Sequence, residues 1–385
     1  MHKYPMELLQ KPYLLNKVTL YFFDLVVTIK SDSVEFIDLF TKMYNRFQKN
    51  EFPSLSVSHI EFSLITHPDN IFDKPVLICN DEIWPLNDPK LLDGFAYECI
   101  LMSIITRIKS HFLIHAGVVS FNNHGVLIVA DGGYGKTTLV LTLLKRGFKF
   151  LSDEMAALGR HDHLVYPFPR SLRVRKDTLS LVGFQDDTIG GEEWLDKLLL
   201  DIDQILPGSS GTKAPIEYII FLQNEKGLTK NNEQDLTILV DQMNDEVLRI
   251  IENIAGVRNM YVDISGSFPV LRLCADKANK ILSEIEAICA MHKILVLDVL
   301  KGTEGPATFN GNARLLPIPV SQAVLALLGN YQGSYKSKIL LDEFKGSSVR
   351  LFMELSNIIA QAQCYCLTAG PLQDMADRVC AEVCA

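Results

Sequence analysis

No excess of positive charge marks this chain, and that absence removes one class of function at the outset. Its 385 residues carry 37 Lys and Arg against 46 Asp and Glu, a net charge of −9. A general role on nucleic acid or on an anionic membrane surface needs the opposite balance. A bilayer-spanning apolar run is also lacking. The most apolar long stretch, Leu91 to Ile108, is interrupted by Asp93, Glu98 and Arg107 and reads as a buried helix. Met1 to Leu15 have neither a continuous apolar core nor a small-residue cleavage site, so no signal peptide is expected there. None of the 8 cysteines has Cys-x-x-Cys spacing, and buried free thiols in a reducing cytoplasm are the expectation. Low-complexity segments and clear internal repeats are absent as well.

What the chain does have is concentrated between Gly125 and Glu154. Val126 to Val129 is a β-branched apolar run that predicts a buried strand. Asp131, Gly132, Gly133, Tyr134 and Gly135 form a glycine-rich turn, and Lys136, Thr137 and Thr138 open a helix that stops at Gly147. Strand, glycine-rich loop, then Gly-Lys-Thr at a helix start is the context of a P-loop. Backbone N–H groups of such a loop curl around phosphate oxygens, and the helix N-terminus adds attraction. Lys136 is expected on the β- and γ-phosphates and the Thr137 hydroxyl on Mg²⁺. Ala130 stands where the motif usually has its first glycine, with Gly132 and Gly133 supplying the flexibility. Phe148 to Leu151 then predicts a short strand ending at Asp153 and Glu154, two carboxylates suited to holding Mg²⁺ or taking a proton from a hydroxyl. Upstream, His115 interrupts an apolar strand from Phe112 to Val119.

In order, His115-Ala116-Gly117, the loop to Thr137, Lys145-Arg146-Gly147 and Asp153-Glu154 resemble the catalytic domain of HPr serine kinase/phosphorylase and its HPr-kinase-like relatives. The resemblance is dense from Phe112 to Glu154 and diffuse elsewhere. It implies an α/β fold with a P-loop kinase core of the HPr kinase/phosphoenolpyruvate carboxykinase type. It also implies ATP, with GTP as the other donor, and Mg²⁺ held by Thr137 and Asp153. His115 would lie beside the transferred phosphate, Lys136 would hold it, and Asp153 or Glu154 would be the base. Homo-oligomers are common in the family, and relatives include kinases acting on precursor peptides.

Around this stretch, residues 1–88 read as a small α+β unit and 89–385 as the catalytic domain, with an elaboration over 224–311. In the first unit Asp32 and Glu35 have capping-box spacing before a helix with the apolar face Phe36, Ile37, Phe40, Met43, Tyr44 and Phe47. Tyr166 to Lys176 is a proline-stiffened basic segment, whose Arg170 and Arg173 suit a phosphate or an acidic substrate, or a solvated strand face. His124 reads as a turn residue, Gly183 to Trp194 as a loop, and Ile205 to Lys213 as a linker or mobile lid. The expected activity is transfer of the γ-phosphate of Mg²⁺·ATP to a hydroxyl, foremost a serine of a peptide or protein. A small-molecule kinase, a nucleotide-binding scaffold and a generic ATPase or carboxykinase-like enzyme are the alternatives. No nucleic-acid or membrane partner is expected.

Overall fold

The structure, a computed structural model, describes residues 16–384 apart from 50–56, 68–73, 81, 86–91, 131–134, 185–190, 195–196, 224–232, 241, 265–268, 293, 295, 302–311 and 330–347. The described residues make a mixed α/β protein of four sheets.

The first sheet has the order β1 (Asn16–Phe22), β2 (Leu25–Ser31), β3 (Ser58–Ile65), β4 (Val76–Cys79), β5 (Glu82–Pro85). Helix α1 (Val34–Met43) connects the parallel pair β2 and β3 and buries Phe36, Ile37, Phe40 and Met43. Its N-cap lies one residue later than the capping-box spacing suggests. Ser33 Oγ accepts from Phe36 N at 3.1 Å. The Asp32 carboxylate instead accepts from Thr66 N and His67 N at the end of β3. A 3₁₀ turn (Asn45–Phe47) follows α1, and α2 (Leu92–Arg107) covers the same core. That core extends to Leu113, Met155, Phe168 and Leu199.

The largest sheet contains β6 (His111–Phe121), β7 (His124–Val129), β8 (Lys149–Ser152), β9 (Met155–Gly159), β10 (Leu164–Tyr166), and later strands Ala214–Gln223, Leu315–Pro317 and Gln363–Thr368. Strand β7 is apolar from Val126 to Val129 because both its faces are covered. Val126 and Ile128 pack under α3 (Lys136–Leu144) and Leu372–Val383, whereas Leu127 and Val129 face the helices Val320–Gly329 and Ser348–Ile358. Helices on both faces of a largely parallel centre define a three-layer arrangement. His124 is the first residue of β7, paired with Phe121, and its ring bonds to Glu217 across the sheet. It is therefore a strand residue and not a turn residue.

A small sheet joins β11 (Leu172–Val174), β12 (Glu192–Trp194) and β13 (Lys197–Leu200), so the segment read as a loop from Gly183 ends in a strand. Residues 205–213 are tied down and are not a lid. Phe150 N donates to Ser209 O and Gly211 N to Phe150 O, while Arg46 ion-pairs with Asp201 and Asp203. The fourth sheet lies between strands Ala214–Gln223 and Gln363–Thr368 in sequence. Glu233–Val240, helix Asp245–Glu252, Val257–Asp263, Val270–Asp276, helix Ala278–Met291 and Val296–Lys301 give a βαββαβ unit with its own core. The apolar run Ile339 to Leu341, which reads as a strand in the sequence, lies outside the described residues. Among the described residues no helix is long and apolar enough to cross a membrane.

His111, on β6, stacks on Phe23 at 3.8 Å and meets the edge of Tyr166. Burial pushes its pKa down from 6.5 to about 4, against the pull of Asp24 and Asp162. Between those two values the unfolded chain binds a proton that the fold excludes, so stability falls as pH falls through this window. His111→Phe is expected to flatten that dependence, removing up to about 3 kcal/mol of acid destabilisation. Melting temperatures of both proteins between pH 7.5 and pH 4.5 check this.

Candidate active site

The catalytic candidates meet where two strands share one edge of β6. Strand β9 pairs with β6 from His111 to His115, and β8 pairs with it from Val118 to Ser120. Asp153 and Glu154 form the break between β8, which ends at Ser152, and β9. Ser152 Oγ accepts from Met155 N at 3.0 Å, and Glu154 O accepts from Ala116 N at 3.1 Å. This closes the turn and directs Asp153 inward, where it is 3% exposed.

Lys136 reaches the same place from α3. Gly135 caps the helix with φ of 79°, a left-handed conformation that glycine adopts without a Cβ penalty. Lys136 is buried, and its Nζ donates to His115 Nε2 at 2.6 Å and to Ala130 O at 3.2 Å. Accepting that bond requires His115 to present a bare Nε2. Gly117 permits this approach: a Cβ there would lie 2.7 Å from Val140 Cγ2 and 3.3 Å from Lys136 Cγ. Gly117→Ala is expected to lower stability by about 1–3 kcal/mol and to displace Lys136. Denaturant unfolding measures the first effect and nucleotide affinity the second.

Proline-flanked Phe168 donates its N–H to Leu151 O, which brings Arg170 beneath the acidic turn. Arg170 is 5% exposed, ion-pairs with Glu154, and donates from Nη1 to Tyr97 Oη at 3.0 Å. Burial works against its charge, but Tyr97, Asp153 and Tyr44 more than offset this and raise its pKa above the ordinary guanidinium value. Arg170 is thus an internal ion-pair partner and not part of a solvated face. Arg173 is half-buried on β11, and its charge reaches Asp153. For Asp153, burial dominates and pushes the pKa up, against the attraction of Arg170, Lys136 and Arg173. Its Oδ1 is buried with no hydrogen-bond partner among the described residues.

His115, Lys136, Asp153, Glu154 and Arg170 are therefore brought together. Thr137 and Thr138 are half-buried in the first turn of α3. Asp131, Gly132, Gly133 and Tyr134, expected to cradle phosphate, lie outside the described residues. No group of three metal-ligating side chains converges among the described residues. Mg²⁺ ordinarily takes one or two carboxylates and completes its shell with water and substrate phosphates, so the second Asp153 oxygen and the Thr137 hydroxyl are of the donor type it needs. Tyr97 is the site residue that motif reading misses, and the motif His115-Ala116-Gly117 does not show what Gly117 packs against. A lone tyrosine on an apolar helix face looks like any core residue, and a glycine in a strand signals close packing without saying against what.

Neither a protein-family model nor a curated protein matches the chain. Among solved structures, the Hpr(Ser) kinase/phosphatase from Coxiella burnetii is similar over 47% of this chain and 95% of that one, at 15% identity and a TM-score of 0.21. The relationship is a distant structural one, and at that TM-score it carries no argument about fold or activity.

Proposed function

We propose that the chain is a phosphotransferase moving the γ-phosphoryl group of ATP to a hydroxyl, foremost a serine of a peptide or protein. One observation carries this reading: a buried lysine at the start of the helix after a glycine-rich turn lies in one cluster with a histidine and a desolvated aspartate. Phosphoryl transfer asks a protein mainly for positioning and charge neutralisation. Lys136 turns from Ala130 O and His115 to the phosphates. His115 orients the lysine and flanks the transferred group. Asp153 Oδ1 takes the acceptor's proton as the hydroxyl oxygen bonds to the γ-phosphorus, and the bond from that phosphorus to the β-bridging oxygen breaks, releasing ADP. Mg²⁺, held by Thr137 and Asp153, would neutralise charge on the phosphates. Glu154 is committed to Arg170 and is not the base. A cytoplasmic setting belongs to the same reading.

The test is thermal unfolding with ATP, GTP and ADP, each with and without Mg²⁺. A ligand that binds only the folded state raises the melting temperature by mass action. A Mg²⁺-dependent rise with ATP supports the reading and separates ATP from GTP as donor. No rise with any nucleotide contradicts it.

A further inference from the structure

Asp153 and Glu154 are chemically near-identical neighbours beside one buried guanidinium, so something must decide which of them Arg170 neutralises. We propose that Tyr97, held by Tyr44, is the positioning residue that fixes the Arg170 fork on Glu154 and leaves Asp153 Oδ1 without a hydrogen-bond donor, so that it can act as base. This rests on the phosphotransferase reading of the site.

The deciding contacts come from the first unit and from α2. Arg170 Nη1 donates to Tyr97 Oη at 3.0 Å, and the Tyr97 and Tyr44 hydroxyls are 3.0 Å apart. Both tyrosines are fully buried. The end of α1 grips the adjacent residue: Ser171 N donates to Met43 O at 2.8 Å, and Ser171 Oγ to Lys42 O at 2.9 Å. A guanidinium is a rigid planar fork, so fixing one Nη and the following backbone fixes the plane in which the other Nη faces a carboxylate. A neutral acceptor suits this role. Tyr97 orients the fork without competing for its charge, whereas a carboxylate at that place would draw it off Glu154. With the hydroxyl gone, a buried N–H is left unsatisfied, and the fork gains by turning to Asp153, the remaining acceptor beside it. The N-terminal unit is then part of the catalytic apparatus through its packing, with no contact to the reacting atoms.

Tyr97→Phe keeps the ring and removes only the hydroxyl. The full chain is assayed for Mg²⁺·ATP turnover with water as acceptor. Tyr97→Phe is expected to lower kcat about 10-fold at an unchanged KM for ATP. Glu154→Gln is expected to act similarly, and the double variant to fall no further, because both act through Arg170. Phe36→Leu, in the same core but away from the hydroxyls, is expected to lower the melting temperature and leave kcat unchanged. In thermal unfolding, Tyr97→Phe is expected to cost about 2–4 °C in the wild-type background and less than half of that beside Glu154→Gln.

Additive losses in the thermal cycle overturn the proposal, and so does coupling there with kcat unchanged in Tyr97→Phe. Should Tyr97→Phe not fold, Tyr44→Phe decides. It is expected to lower kcat about 3-fold, and an unchanged kcat overturns the proposal. A wild type with no Mg²⁺·ATP turnover counts against the phosphotransferase reading, and the thermal cycle then decides the Tyr97–Arg170–Glu154 coupling without it.

Discussion

Lys136→Ala is expected to lower phosphoryl transfer by about 10²–10³-fold, the loss typical of removing one group aimed at developing charge. The fold is expected to survive. The Lys136 ammonium donates to His115 Nε2 and to Ala130 O. Helix α3 is anchored independently by Leu139, Val140, Leu143 and Leu144. Steady-state turnover and melting temperature, measured together, check both halves. Full activity in the variant contradicts the role of Lys136.

Asp153→Asn is expected to abolish chemistry to a similar or greater degree, about 10²–10⁴-fold, as is usual for a positioned base. Its effect on stability should have the opposite sign from that of most buried substitutions. Asp153 is 3% exposed, and the burial that raises its pKa is a cost of the folded state at neutral pH. An amide of the same shape does not carry that cost. The melting temperature should therefore hold or rise while nucleotide binding persists. A collapse of the fold would mark Asp153 as a structural partner of Arg170 and Arg173 instead of a base.

How far these residues were legible in sequence depends on whether their signal is local. Strand β7 and helix α3 could be read because an apolar run switches to helical spacing at Gly135, and tertiary packing agrees with that local pattern. The apolar face of α1 was equally clear, yet its cap lies one residue later because the Asp32 carboxylate accepts from Thr66 N and His67 N just after β3, more than thirty residues away. Strand Val257–Asp263 was missed because it is an edge strand with a half-exposed pattern and a register shift at Asn259, where φ is 50°. Glu233–Val240 was masked by its polar beginning. At the site, the acidic pair could be read from its position after a strand. Its division of labour could not, because it depends on Tyr97 and Arg170, 73 positions apart. The available hint was local: Arg170 lies between buried Phe168 and Leu172, and an arginine inside an apolar, proline-stiffened segment is seldom solvated.

The most direct test of the central claim follows the label from γ-³²P-ATP in the presence of Mg²⁺, with the wild-type chain and Asp153→Asn side by side. Serine-containing peptides and small hydroxyl compounds serve as acceptors, and released phosphate is counted as transfer to water. The account predicts label on a hydroxyl or in free phosphate with the wild type, and next to none with Asp153→Asn despite retained nucleotide binding. No movement of label with the wild type, or equal movement with both proteins, would contradict it.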